Sequence, residues 1–296
     1  WLKLLFPATM ARHHLQGRKK PHLSRVRSKL RKEKLNHTKK TRKKRELEKL
    51  QAEVKRAAKL SQAQQYTFFR ATEAILCVGE GNFSFAAALA EKMNALRRNP
   101  EAGGGVIATC LDDKSTLRDK YTDGKVNVKR IEAAAGAVLY GVDATCLHER
   151  EEFAHAFDKI VFQFPHLGSG EKSVERSVHQ HQHLLRSFFE SARRCLKRLK
   201  TSEIHVTLKE GEPYKSWQVV SMASSGNNEI QCRTVLPFVP SDWPGYEHRR
   251  TQGFDERSSK KDNSEIAKGA KTYIFAFRKE YLDALEAHGE DIHICV

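Results

Sequence analysis

Two glycines and a series of carboxylates are the residues through which this chain could first do chemistry. Gly79 and Gly81 stand in Gly79-Glu80-Gly81-Asn82-Phe83-Ser84, directly after the apolar run Ile75-Leu76-Cys77-Val78 and directly before Phe85-Ala86-Ala87-Ala88-Leu89. A buried strand, a turn that lets backbone come close to a ligand, and a helix start with free N–H groups are the parts that hold a nucleotide-like cofactor. Asn82 or Ser84 is placed to cap the first helical turn. The next apolar run, residues 106–111, ends on Asp112-Asp113, where a carboxylate would take a ribose diol. That spacing exceeds the roughly 20 residues of the dinucleotide pattern, and the glycine-rich loop 99–105 accounts for the excess. A third run, 137–142, ends on Asp143, placed to meet an adenine amino group. Asp112 and Asp113 can alternatively be solvated strand ends, and for Asp113 that alternative is the stronger.

The elements that must position these groups alternate. Phe85, Leu89, Met93 and Leu96 recur at three and four residues and give the first helix one apolar face. A polar, helix-permissive stretch at 116–135 is broken near 121–124. A short helix is expected at 147–157, a fourth strand over 158–166 stopping at Pro165, and a long helix at 173–200. Strands at 203–209, 229–238 and 272–277 and a helix at 214–223 complete the pattern. Strands alternating with helices predict an α/β fold with a doubly wound parallel sheet, and two final strands joined only by a long loop predict an antiparallel edge. Seven strands closing in this way resemble a class I methyltransferase.

Charge divides the chain. Residues 1–60 contain 21 Lys+Arg against 4 Asp+Glu, and residues 61–296 contain equal numbers of each, so the whole net charge of +17 lies in an N-terminal arm. Blocks such as residues 39–45 have too few apolar anchors to build a core; the arm, 1–65, is expected to be disordered to helical, with an exposed helix over 43–64. Phosphate backbone is the expected partner, and a nuclear or nucleolar address is an equally good use of such an arm. The chain begins at Trp1 with its first methionine at Met10, and residues 1–9 contribute nothing to the fold expectation. The globular domain is expected at 70–280, with a long loop at 239–269 and a tail at 281–296. No window approaches the roughly 18 apolar residues of a membrane span, so no membrane role is expected. The six cysteines are scattered singly without a CxxC, as for reduced buried thiols. His179-x-His181-x-His183 lacks a carboxylate or cysteine at ligand spacing, so it is expected to be part of an amphipathic helix and no metal is expected.

Four motifs in order then become specific: residues 78–85, residues 157–166 ending Gln163-Phe164-Pro165-His166, Glu210-Gly211-Glu212-Pro213-Tyr214 with Trp217, and Pro244-Gly245-Tyr246-Glu247-His248-Arg249-Arg250-Thr251. Together they resemble the Rossmann-like family of large-subunit ribosomal-RNA uridine-N3 methyltransferases, over about residues 73–278. The resemblance implies S-adenosylmethionine as cofactor, a uridine in ribosomal RNA or a pre-ribosomal particle as substrate, and the nucleolus as place of work. It implies that Gly79, Glu80, Gly81 and Asn82 shape the cofactor loop, that Asp112 holds the ribose and Asp143 the adenine, and that residues 163–166 line the catalytic mouth. The family's fourth strand usually ends Asn-Phe-Pro-His, so Gln163 is a departure with a longer amide arm.

The expected chemistry is methylation of N3, which must first lose a weakly acidic proton. His166 is the candidate base, or a hydrogen-bond partner to a uracil carbonyl, with a structural histidine as the alternative; Glu210 and Glu212 could also accept the proton. Phe164, Tyr214, Trp243 and Tyr246 are available to stack on an unpaired base, Phe164 and Tyr214 being more readily packing residues. Arg249 and Arg250, beside Trp243 and Tyr246, suit RNA contacts, salt bridges to the domain's own carboxylates being the alternative. The rival to an enzyme is a non-catalytic RNA-binding ribosome-assembly factor that keeps the fold.

Overall fold

The computed structural model describes residues 27–29, 31–32, 34, 37–38, 41–49, 51, 68–97, 103–226, 229–249 and 269–288. The chain divides into two units, Trp1–Ala58 and Lys59–Val296. Within the first, the described residues are helical and exposed, and Arg42–Glu46 and Lys44–Glu48 pair one turn apart. Such exposed pairs contribute little, and the described residues of this unit bury no core of their own.

The second unit is built on one seven-stranded sheet: β1 (Ala74–Val78), β2 (Gly105–Thr109), β3 (Ala137–Leu139), β4 (Lys159–Gln163), β5 (Glu203–Leu208), β6 (Ile230–Pro237) and β7 (Lys271–Phe277), in the order β3-β2-β1-β4-β5-β7-β6. The first five are parallel to one another, and β7 runs antiparallel between β5 and β6. Among the described residues six helices accompany them: α1 (Ser84–Leu96), α2 (Lys114–Lys120), α3 (Gly124–Ala133), α4 (Val174–Cys195), α5 (Val219–Ser224) and α6 (Lys279–Ala287).

The apolar runs of β1 and β4 face both ways because both faces are covered. Ile75, Cys77 and Val161 pack with Phe85, Leu89 and Met93 of α1. Leu76, Val78, Ile160 and Phe162 pack on the other face with Leu185, Phe188, Phe189, Ala192 and Cys195 of α4. This is why the strands read as continuous apolar runs rather than alternating ones. Order reverses between β1 and β4, so the chain leaves their carboxyl ends toward opposite faces and a crevice opens there. At the opposite end Lys159 is buried between Glu203 at 2.5 Å and Glu73 at 3.8 Å, so two carboxylates offset the desolvation of one ammonium.

Several boundaries differ from expectation. β3 stops at Leu139, not at residue 142, because the chain turns at Gly141 (φ +66) while the Gly141 and Val142 amides donate to the Asp112 and Cys110 carbonyls. The expected helix at 147–157 is two short 3-10 turns, Leu147–Glu149 and Glu151–Phe153, which bury Leu147 and Phe153. The expected helix at 214–223 starts as a 3-10 turn, Tyr214–Trp217, before α5. The tail at 281–296 is helical where described: α6 buries Leu282 against the core. The part of the expected loop that is described, 239–249, packs on the domain, and residues 250–268 lie outside the described residues. Among the described residues no helix is long and apolar enough to cross a membrane, and no cluster of His, Cys, Asp or Glu could hold a metal ion.

Candidate active site

Val78 of β1 is paired with Phe162 of β4, so Gly79 leaves the sheet beside Gln163, the last residue of β4. Gly79 has φ +64, and a Cβ there would lie 2.3 Å from Phe162 Cε2. The Phe162 ring therefore packs on bare backbone, which only glycine permits. The Glu80 amide donates to the Thr109 carbonyl at 2.9 Å. Asn82, buried, locks the rest of the loop. Its Oδ1 accepts from Ser84 N–H and Oγ–H, its Nδ2 donates to Asp123 Oδ2 at 2.8 Å, and its carbonyl accepts from Asn127 Nδ2. The capping position itself is held by Phe83 in the left-handed region, with no side-chain cap, so Asn82 serves the first turn from one residue further out.

A cavity of about 270 Å³ opens over this loop, lined among others by Gly79, Glu80, Gly81, Asn82, Asp112, Asp143, Gln163, His166, Tyr246 and Arg249. The two adjacent aspartates after β2 have separate tasks. Asp113 caps α2, accepting from Thr116 N–H and Ser115 Oγ, and these hydrogen bonds hold its pKa down to about 2. Asp112 faces the cavity, with Oδ1 2.6 Å from Lys120 Nζ. Asp143 Oδ1 accepts from the Thr145 amide and hydroxyl, which fixes the carboxylate four residues beyond β3. Burial pushes the Glu80 carboxyl up to about 7, against the opposing hydrogen bond from the Ala86 amide. Glu80, Asp112, Asp143 and Glu247 thus line the cavity against Lys120 and Arg249. Four carboxylates against two cations suit a cationic ligand and disfavour a polyphosphate.

The end of β4 forms the other lip. Phe164 has φ +49, a left-handed kink in a non-glycine residue, stabilised by the hydrogen bond its amide donates to the Thr207 carbonyl and by edge contacts with Phe238 and His248. Gln163 Oε1 is buried and has no hydrogen-bond partner among the described residues. The Gly168 amide donates to His166 Nδ1 at 3.0 Å, so the neutral ring carries its proton on Nε2. His181 of α4 supports this turn from below: its Nδ1–H donates to the Ser177 carbonyl, its Nε2 accepts from the Leu167 amide at 3.4 Å, and its ring is stacked on Trp217 at 4.0 Å and lies 4.7 Å from His166. Burial lowers the pKa of both histidines, with His181 also acting on His166, which favours the neutral form.

The structure does not bring every expected residue here. Glu210 is outside this cavity; it pairs with Lys271 and lines a separate groove beyond β5 with Tyr214 and Lys215. Glu212 accepts from Ser216 Oγ. Trp243, expected to be available to RNA, is 6% exposed and sits in the core against Phe85 and Phe69, with Lys92 Nζ over its ring. Arg249, for which RNA contact was the favoured expectation, is instead engaged with the domain's own Asp123 and Glu247. The physical reason is one tether: Ser84 Oγ accepts from the Glu247 amide at 3.1 Å and lies 2.9 Å from the Glu247 carbonyl, which sews residues 246–249 onto the start of α1 as a wall of the cavity. Tyr246 lines the cavity and its hydroxyl meets His248 Nδ1. Arg250 lies outside the described residues. Lys120, Asp123, Ser84 as a tether, and His181 escaped sequence reasoning; for Lys120, its place at the end of the short helix that follows Asp112 and Asp113 was the available signal.

A family model described as BMT5-like rRNA (uridine-N3-)-methyltransferase matches residues 76–250. Heavy metal-associated isoprenylated plant protein 41 of Arabidopsis thaliana is 32% identical over 185 residues, covering 60% of this chain and 33% of that protein. The 25S rRNA (uridine(2634)-N(3))-methyltransferase of Saccharomyces cerevisiae is 26% identical over 271 residues, covering 74% of this chain and 76% of that protein. The chain thus spans about a third of the length of the first relative and about three quarters of the second. The crystal structure of the aminoglycoside resistance methyltransferase NpmB1 is 17% identical, with a TM-score of 0.39 over 70% of this chain and 87% of that one.

Proposed function

The chain belongs to the family of BMT5-like rRNA (uridine-N3-)-methyltransferases, and from that premise we propose that it methylates N3 of a uridine in large-subunit ribosomal RNA with S-adenosylmethionine as donor. The observation that carries this reading is that one acid-walled cavity joins the glycine loop, Asp112 and Asp143 to Gln163 and His166. The cofactor supplies a sulfonium methyl and a neutral thioether leaving group. The residues present fit it: the left-handed turn at Gly79 brings the loop's backbone to the cavity wall, and the carboxylate surplus offsets its positive charge.

In this reading Asp112 holds the ribose diol and Asp143 the adenine amino group. Glu80 meets the α-ammonium as a carboxylate. Because its pKa is about 7 in the free protein, and a nearby cation lowers a carboxyl pKa, cofactor binding releases a proton at neutral pH and weakens as pH falls below 7. An unpaired uracil presents N3–H between two carbonyls. Gln163 Oε1, an acceptor without a partner among the described residues, meets N3–H, and the His166 Nε2–H meets a carbonyl. With Nδ1 already accepting from Gly168, neutral His166 is a donor rather than the proton acceptor. Once N3 has given its proton to solvent water, negative charge spreads onto the carbonyl oxygens, where the Gln163 amide and His166 N–H stabilise it. Nucleolar residence and a pre-ribosomal substrate belong to the same proposal.

Titration calorimetry with S-adenosylmethionine tests the cofactor site. Micromolar binding is expected, weakened about tenfold or more in Asp112→Ala through loss of a charge-assisted hydrogen bond. A folded protein that binds no cofactor, alone or with RNA, would favour the non-catalytic assembly factor. A second expectation concerns the arm. With no net charge over residues 61–296, deletion of residues 1–60 should weaken RNA binding and flatten its salt dependence while cofactor affinity is unchanged. An unaltered slope of log K against log salt would refute it.

A further inference from the structure

We propose that Arg249 binds the α-carboxylate at the methionine end of the cofactor, with the start of α1 as its second support; the assignment rests on the cofactor reading above. Arg249 has a side chain only 9% exposed and forms part of the cavity wall. Its Nη2 is shared by Asp123 Oδ2 at 3.1 Å and by Glu247, and its Nη1 is buried without an acceptor among the described residues. A guanidinium presents its N–H groups as a rigid fork suited to a carboxylate. A buried donor of a charged group left without a partner is costly, so the wall carries a standing demand for an acceptor oxygen.

Neighbouring groups say which anion meets it. Asn82 and Ser84 tie Arg249's segment to the first residues of α1: Asp123 bridges Asn82 Nδ2 and Arg249 Nη2, and Ser84 Oγ holds Glu247. The thirteen-residue α1 directs its positive end to this point. Glu80 flanks the same first turn, with Oε2 near the Ala86 amide. An acidic and a basic side chain on either side of one helix start match an amino acid's ammonium and carboxylate, a zwitterion. An RNA phosphate is a poorer fit, because Asp123 and Glu247 already crowd one edge of the guanidinium and its depth leaves little access for a polymer backbone.

The test compares S-adenosylmethionine with its decarboxylated analogue by calorimetry, in wild type, Arg249→Gln and Arg249→Lys. Wild type is expected to bind the carboxylate-bearing ligand about ten- to a hundredfold more tightly, the range of a charge-assisted hydrogen bond. In Arg249→Gln that preference is expected to fall to near unity, through weaker binding of S-adenosylmethionine, with RNA affinity unchanged. Arg249→Lys, which keeps the charge but not the fork, should lie between and serves if the glutamine variant does not fold. Equal loss of both ligands, with the preference preserved, would overturn the assignment and make Arg249 a structural strut. A preference preserved alongside weakened RNA binding would overturn it in favour of a phosphate contact. Binding of neither ligand by folded wild type would overturn the cofactor reading itself.

Discussion

Gly79→Ala is expected to destabilise the domain by roughly 2–5 kcal/mol, summing about 1–2 for a left-handed residue with a Cβ and about 1–3 for overpacking. The two costs arise at one atom. The backbone sits at φ +64, and the new methyl would stand 2.3 Å from Phe162 Cε2. Phe162 is buried against Phe188 and cannot yield without disturbing the face of the sheet covered by α4. It also precedes Gln163, so a displaced ring carries the strand end with it. Cofactor affinity and methyl transfer should therefore fall together with stability. Gly81→Ala is the internal control, because a Cβ there meets only the Tyr121 ring and its hydroxyl, the nearest atom at 3.3 Å, with an ordinary φ. Urea unfolding paired with calorimetry separates the two. Equal, small effects at both positions would show that the loop is looser than its geometry.

His166→Ala is expected to lower kcat by about 10²- to 10³-fold, the range found when a single donor to developing oxyanion charge is removed. Cofactor affinity should be unchanged, since His166 stands on the lip formed by β4 and not on the glycine loop. His166→Gln should recover part of the loss, because an amide N–H can replace Nε2–H but cannot act as a base. That rescue distinguishes the donor role from proton abstraction, in which glutamine would be as inert as alanine. The neutral ring is the one that accepts the Gly168 amide. Its pKa is pushed below the ordinary 6.5, so the working form persists to lower pH than in a free histidine, and the part of the rate that depends on His166 should be lost only as pH drops through that lowered value. A loss of rate setting in above pH 6.5 and absent in the alanine variant would contradict this.

The parts of the site that depend on short-range pattern were legible. The strand, glycine turn and helix start at 74–96 announce themselves by apolar run, Gly79 and three-to-four spacing, and the acids after β2 and β3 by their place after apolar runs. Asp113 was expected as a solvated strand end, and only the structure shows it capping α2. Trp243 and Arg249 were misjudged for an equally physical reason. Aromatics beside arginines have the same composition whether they face RNA or fold back. Nothing local reveals that Ser84, far earlier in the chain, captures the Glu247 backbone. Glu210 was misplaced likewise: its nearness to β5 is sequential, while its partner Lys271 comes from β7.

The chain's own order of residues determined the doubly wound sheet, its antiparallel edge, the basic arm set apart from a neutral domain, and the family, because hydrophobic period, charge blocks and motif order are properties of neighbours along the chain. Tertiary structure decided which side chains share the cavity. It turned Trp243 into core, Arg249 into wall, and His166 into a ring held over His181, because register between β1 and β4, a left-handed kink at Phe164 and one serine tether are settled by packing between segments far apart in the chain.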